Sequence, residues 1–184
     1  CLCMYACLRM YAGLSVYAGL SVCVYLWVRV VLVAVRQYNI GFYFHYLSRW
    51  PDFSAVAEDA SGKQMGYVIG KAEGRGEDWH GHVTAVTVAP EYRRIGLASK
   101  LMDWLEEVSE KQYDGYFVDL FVRKTNTVAI GMYERLGYVI YRRVLGYYGD
   151  SEDAYDMRKA LRRDPEKKSM VPLDRPVLPE ECVF

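Results

Sequence analysis

An α/β fold is predicted, a strongly twisted mixed β-sheet with helices on both faces and parallel central strands, and three stretches of the sequence predict it. The apolar, β-branched run at 82–88 enters the turn Arg93-Arg94-Ile95-Gly96-Leu97-Ala98, and an amphipathic helix leaves it. The aromatic and β-branched run at 116–122 reads as a mostly buried strand. A second helix follows from Asn126, a good N-cap type, to Leu136, with Gly137 placed to end it. Strand-helix-strand-helix order puts the central strands parallel.

Phe42-Tyr43-Phe44-His45-Tyr46-Leu47, ahead of Arg49-Trp50-Pro51, reads as a short helix stopped by proline, its aromatics serving as core, substrate wall or partner surface. Residues 54–59 and 64–71 are the strands of a hairpin turning at Ala60-Ser61-Gly62-Lys63, and 73–78 is a polar loop. In the helix over 96–111, Leu97, Leu101, Met102, Leu105 and Val108 recur at three- and four-residue steps and make an apolar stripe for the sheet. A last strand spans 154–161.

The turn at 93–98 has a chemical reading. A helix N-terminus carries about half a positive charge and unbonded N–H groups, and Gly96 and Ala98 keep side chains away from a bulky phosphate. This R-x-x-G-x-A turn resembles the coenzyme A pyrophosphate loop of the GCN5-related N-acetyltransferases. Residues 126–138 carry a second resemblance, to that family's N-x-x-A-x-x-x-Y-x-x-x-G-Y pattern. The resemblance implies acetyl-CoA as co-substrate and no metal. It places the coenzyme in a splay between the strands ending near Val88 and Val122, bound by Val86, Thr87, Val88, Arg93, Arg94, Ile95, Gly96, Leu97, Ala98, Asn126 and Tyr133. A main-chain N–H near Val86 or Val88 would hold the thioester oxygen, and Tyr133 would serve the departing sulfur. Taken alone, Tyr133 also reads as a core aromatic and Asn126 as a plain N-cap.

Trp79-His80-Gly81-His82-Val83-Thr84-Ala85, the run 116–123, the segment 151–161 and Glu166-Lys167-Lys168-Ser169 narrow the resemblance, over about 38–179, to NatB-type N-terminal acetyltransferases. It implies nascent protein N-termini starting Met-Asp, Met-Glu, Met-Asn or Met-Gln as substrates. A large helical-repeat auxiliary subunit would be the partner, holding the chain at the ribosome in the cytoplasm, with Phe42 to Trp50 as the place to look for the contact. An α-amine with a pKa near 8 needs only a weak base or water relay. Catalytic candidates are therefore Tyr133, His82 and Tyr147. Tyr38, Phe42, His82, Thr84, Ala85, Tyr147 and Tyr148 are candidates for gripping the peptide. His82 also reads as a satisfied strand histidine, and Tyr147-Tyr148 as an amphipathic edge. Alternatives are a NatA-type or lysine acetyltransferase, or a catalytically impaired module that binds acetyl-CoA or a partner.

The 184 residues suit one domain, spanning 37–161. Lys plus Arg and Asp plus Glu are equal at 23 each, so charge gives no signature of DNA or membrane binding. His80 and His82 lack the further spaced ligands that zinc wants. The tail 162–184, with a basic cluster and Pro165, Pro172, Pro176 and Pro179, reads as a solvated, extended end or as a docking strip. Residues 1–36 differ in kind: Tyr-Ala-Gly-Leu-Ser-Val occurs twice in tandem at 11–22, and four of the five cysteines lie here. This low-complexity segment is expected to be foreign to the domain, the product of a fragment or a mistaken gene reading. The competing expectation is a membrane anchor over the uncharged run 10–28. A missing first strand is expected to expose the sheet edge.

Overall fold

The computed structural model describes residues 6–9, 15–18 and 39–182. Strands are β1 (Ala6–Arg9), β2 (Ser15–Ala18), β3 (Ser54–Glu58), β4 (Gln64–Glu73), β5 (His80–Val88), β6 (Phe117–Arg123), β7 (Val139–Val144) and β8 (Ala154–Ala160). The helices are α1 (Ile40–Arg49), α2 (Leu97–Lys111) and α3 (Thr127–Arg135), with short 3₁₀ turns between elements. Two compact units emerge. One holds the described residues up to Lys71 with Thr84–Val108, and the other holds Ala72–Val83 with the chain from Ser109 onward.

In the first unit the strand order is β1-β2-β3-β4-β5. The β3–β4 hairpin forms as predicted, antiparallel, with a bulge at Ala57/Glu58 and the Asp59 carboxylate closing its turn on the N–H groups of Ser61 and Lys63. Helix α1 starts at Asn39, whose side chain accepts the Phe42 N–H at 3.0 Å, and Pro51 follows its end. Its Tyr43 and Leu47, one turn apart, pack with Val56, Tyr67 and Ile69 into a core. The exposed first edge does not occur, because β2 pairs antiparallel with β3 through Ser15↔Glu58, Val16↔Ala57 and Tyr17↔Val56. Four residues of the tandem repeat thus supply a strand. A continuous helix over 10–28 is excluded by that strand, and no described helix is long and apolar enough to cross a membrane. The remaining expectations for 1–36 lie outside the described residues.

In the second unit the order is β5-β6-β8-β7. Strands β5 and β6 pair in parallel, Gly81↔Val118 to Val83↔Leu120, as the alternation of strands and helices predicts. Strand β7 was not anticipated: Arg142 and Arg143 interrupt its apolar pattern, yet it pairs antiparallel with the predicted β8. Arg142 is buried there on Asp156 at 2.8 Å, which lets a charge occupy a strand interior. The tail is also different from its solvated expectation. Leu173 and Val177 donate to the Tyr141 and Arg143 carbonyls of β7, and Leu145 donates to Val177. Val177, 2% exposed, packs on Val144 and Ala154, so the tail satisfies the backbone of an otherwise open edge strand. Asp164 accepts from the backbone N–H groups of Lys168 and Ser169 and so sets the tail's first turn.

Candidate active site

The first unit carries the turn. After β5, Pro90–Tyr92 makes a 3₁₀ turn, and the Tyr92 hydroxyl donates to Asp59 at 2.8 Å while Lys63 pairs with Glu91 at 2.9 Å. The hairpin turn thereby braces the loop. Hydrogen bonds from Ser61, then Tyr92 and Lys63, hold the exposed Asp59 carboxyl well below the usual carboxylate range. Arg93 folds back, its Nε donating to the Val88 carbonyl. Arg94 and Gly96 take left-handed backbone conformations, φ 68° and 81°, and a Cβ on Gly96 would meet nothing within 4 Å. α2 begins at the next residue, and helix geometry leaves the N–H groups of Leu97, Ala98 and Ser99 without acceptors of their own. Ile95 is 60% exposed and Leu97 is buried, so the turn is anchored on its helix side and open at its tip. This is an anion cradle of backbone donors with open space above glycine.

Upstream of that turn, Thr84, Ala85, Val86, Thr87 and Val88 are all half-buried, whereas His80 to Val83 are buried. The Thr84 hydroxyl is buried and has no hydrogen-bond partner among the described residues. Phe42 is half-buried and packs on Tyr43 and Tyr46 at ring distances of 5.4 and 4.8 Å. Tyr38 lies outside the described residues.

The second unit gathers His82, Tyr147 and Tyr148 around one residue absent from the sequence-based set. Phe121 stacks on Tyr147 at 4.6 Å and 14°, its carbonyl accepts from the Tyr148 hydroxyl, and its ring lies 5.7 Å from His82. Alternation along β6 could have revealed it, since Phe117, Asp119 and Phe121 share a face and His80 and His82 alternate likewise. His80 lies flat on Phe117, ring centroids 4.5 Å apart and 6° between planes. Arg123 covers the Tyr148 ring at 4.0 Å and is itself held by Asp150 and Glu152.

Both histidines converge on Asp119, which is fully buried. His82 Nδ1 lies 2.8 Å from its Oδ1, and His80 Nε2 lies 3.4 Å from the same oxygen. Burial on its own would raise the Asp119 carboxyl, but the charges of His80 and His82 and their hydrogen bonds outweigh it and hold the group far below the usual range. Burial likewise opposes charge on His80. The Asp119 charge, followed by hydrogen bonds to Asp119 and the Asp78 carbonyl, wins and raises its pKa. Asp156, beyond Asp119, is pushed up by burial and then by the Asp119 charge, against Arg158 and Arg142.

Tyr133 on α3 is buried, its ring 5.9 Å from Tyr138, and burial, with a smaller contribution from Tyr148, pushes its hydroxyl up to about 12. Asn126 is exposed and its side-chain oxygen accepts the Ala129 N–H at 3.2 Å, the N-cap geometry that the residue type suggests. A cavity of about 400 Å³ in this unit lies elsewhere, bordered by Tyr116, Phe117, Tyr141, Arg158, Arg163 and Glu77 among others, and by none of the candidate residues.

The acetyltransferase (GNAT) family matches residues 25–138, beginning well before the Tyr38 region where the resemblance was expected to start. N-alpha-acetyltransferase 20 of Dictyostelium discoideum is 66% identical over 145 residues, covering 79% of this chain and 84% of that protein. The N-terminal acetyltransferase B complex catalytic subunit of Arabidopsis thaliana is 63% identical over 147 residues, covering 80% and 84%. Among solved structures, the Naa20 protein of Chaetomium thermophilum in complex with a bisubstrate analogue superposes with a TM-score of 0.76 at 38% identity, covering 90% of this chain and 97% of that one.

Proposed function

The chain belongs to the acetyltransferase (GNAT) family, and from that premise we propose that it is a NatB-type N-terminal acetyltransferase. It transfers acetyl from acetyl-CoA to the α-amine of proteins that begin with Met followed by Asp, Glu, Asn or Gln. The observation that carries the coenzyme assignment is the left-handed turn at Arg94 and Gly96 that leads directly into the start of α2, where helix geometry leaves N–H groups available to an anion. The substrate class draws its support from the relatives named as catalytic subunits of the N-terminal acetyltransferase B complex.

Each unit contributes its own chemistry. In the first, backbone donors at 96–99 bind the pyrophosphate, Arg93 and Arg94 add positive charge, and a main-chain N–H of β5 near Val86 or Val88 steadies the thioester oxygen as it becomes an oxyanion. The unpartnered Thr84 hydroxyl suits an acidic or amide side chain at the second peptide position. In the second, the Phe121–Tyr147–Tyr148 group grips peptide backbone through a rigid aromatic surface. Tyr133 stays protonated with a pKa of about 12. A thiol is the stronger acid, with a usual value of about 8.5, so Tyr133 donates a hydrogen bond to the departing sulfur instead of surrendering its proton outright. The amine gives up one proton before attack; its nitrogen then bonds the thioester carbon, the C–S bond breaks, and the second amine proton ends on the coenzyme thiol. The partner is a large auxiliary subunit that keeps the chain near nascent N-termini at the cytoplasmic ribosome, with the exposed Ile40 and Phe44 of α1 as its contact.

The test is acetyl transfer by the chain with its auxiliary subunit to peptides starting Met-Asp, Met-Glu, Ser or Ala, and to one with an internal lysine only. Preference for the first two is expected. Preference for Ser or Ala starts, or for lysine, would replace NatB with the corresponding class.

A further inference from the structure

Two buried histidines converge on one carboxylate, and that arrangement sets proton positions. Asp119 is 0% exposed and its Oδ1 lies 2.8 Å from His82 Nδ1. An ionised carboxylate only accepts, so His82 Nδ1 carries the proton, and Nε2 of the neutral ring is the bare nitrogen. His80 Nδ1 lies 2.5 Å from the Asp78 carbonyl, which also only accepts, so that nitrogen is protonated too. His80 Nε2 then faces Asp119 Oδ1 at 3.4 Å and Glu73 Oε1 at 3.9 Å. A lone pair there would oppose two carboxylate oxygens, whereas a second proton turns the repulsion into an ion pair. Stacking on Phe117 fixes the His80 ring in that orientation.

We infer that Asp119 is a positioning residue for acetyl transfer, locking His82 in the form whose Nε2 takes the proton from the incoming α-amine, while the His80 cation keeps Asp119 charged. The inference rests on the acetyltransferase reading above. In the step, an N–H bond of the α-ammonium breaks and leaves its electron pair on nitrogen. The proton bonds to His82 Nε2, the resulting imidazolium is stabilised through Nδ1–H by Asp119, and water later removes that proton.

Other charged groups face this pair. Glu73 of β4 lies 3.8 Å from His82 Nδ1, and Tyr147 reaches the His82 ring through Phe121. Behind Asp119 stand Asp156 and Arg158 of β8 and Arg142 of β7, with Arg142 2.8 Å and Arg158 3.4 Å from Asp156. On the β5 side, Asp119 Oδ1 faces His82 Nδ1 and His80 Nε2.

Two measurements test the inference on the full chain with its auxiliary subunit. The ¹⁵N resonances of the His82 ring in the wild-type protein near pH 8 should show Nδ1 protonated and Nε2 bare; the opposite tautomer overturns the inference without any variant. Asp119→Asn should lower kcat roughly 10–100-fold, leave the KM for acetyl-CoA within about twofold, and shift the acid limb of the kcat pH profile. A folded Asp119→Asn protein with wild-type kcat and pH profile sinks the inference alone. A wild-type chain that acetylates no peptide sinks the functional reading and this inference with it.

Discussion

A methyl group on Gly66 of β4 would lie 2.6 Å from the carbonyl oxygen of Thr87 on β5. The two strands approach so closely because one of them lacks a side chain, and the Ala89 N–H donating to the Met65 carbonyl holds them there. Backbone is on the receiving side of that clash, so it cannot be relieved by a rotamer change. Gly66→Ala is expected to destabilise the protein by about 1–3 kcal/mol and to displace the end of β5, raising the KM for acetyl-CoA. Urea unfolding and steady-state kinetics check both; an unchanged midpoint would show that β5 yields freely.

Tyr133→Phe removes only the hydroxyl from a side chain that is 8% exposed, so the fold should persist. The variant is expected to lose roughly 10–100-fold in kcat while coenzyme A affinity, measured by calorimetry, stays near wild type. Equal turnover by wild type and variant would remove the phenol from the reaction.

Phe121→Ala deletes the ring on which Tyr147 stacks and toward which His82 leans. The peptide KM should rise about tenfold, a loss of about 1.4 kcal/mol, with coenzyme A affinity retained. A rise in the acetyl-CoA KM with the peptide KM constant would assign the ring to the other substrate.

The buried ion pair makes stability depend on pH in a definite direction. The His80 pKa is raised above its ordinary 6.5, so its contribution is complete below that value and is lost as pH rises through the higher folded one. The Asp119 pKa is lowered from 3.8, so its contribution is complete above that value and is lost only in stronger acid. Asp156, raised from 3.8 by burial and the Asp119 charge, contributes stability that is complete below that value and is lost as pH rises through its folded one. The urea midpoint should therefore fall between pH 6 and pH 9, and His80→Gln should flatten that slope. A wild-type midpoint constant across this interval would mean that His80 is neutral in the fold.

Val177→Ala tests the docked tail. Val177 is 2% exposed against Val144 and Ala154, both 0% exposed, and a residue in a solvated end would tolerate the change. A loss of about 1–2 kcal/mol in urea unfolding is expected; no loss would detach the tail from β7.

Local signals carried much of this protein in its sequence. Apolar periodicity of 3.6 located α2, Asn126 and Gly137 bounded α3, alternating strands and helices gave the parallel β5–β6 pair, and the two motifs named the family. Strand β7 escaped because Arg142 breaks the apolar pattern, and only burial on Asp156, fourteen residues away, makes that arginine compatible with a strand. The docked tail and the β1–β2 edge escaped for a related reason: an edge strand accepts whatever backbone reaches it, and main-chain hydrogen bonds leave little mark on side-chain composition. His82 was legible as a candidate, but Phe121 and Asp119 became its partners only through the register His82↔Asp119. Local composition set the elements and the chemical types available to them; strand register and burial, which sum weak contacts over residues far apart in the chain, set which of those groups meet.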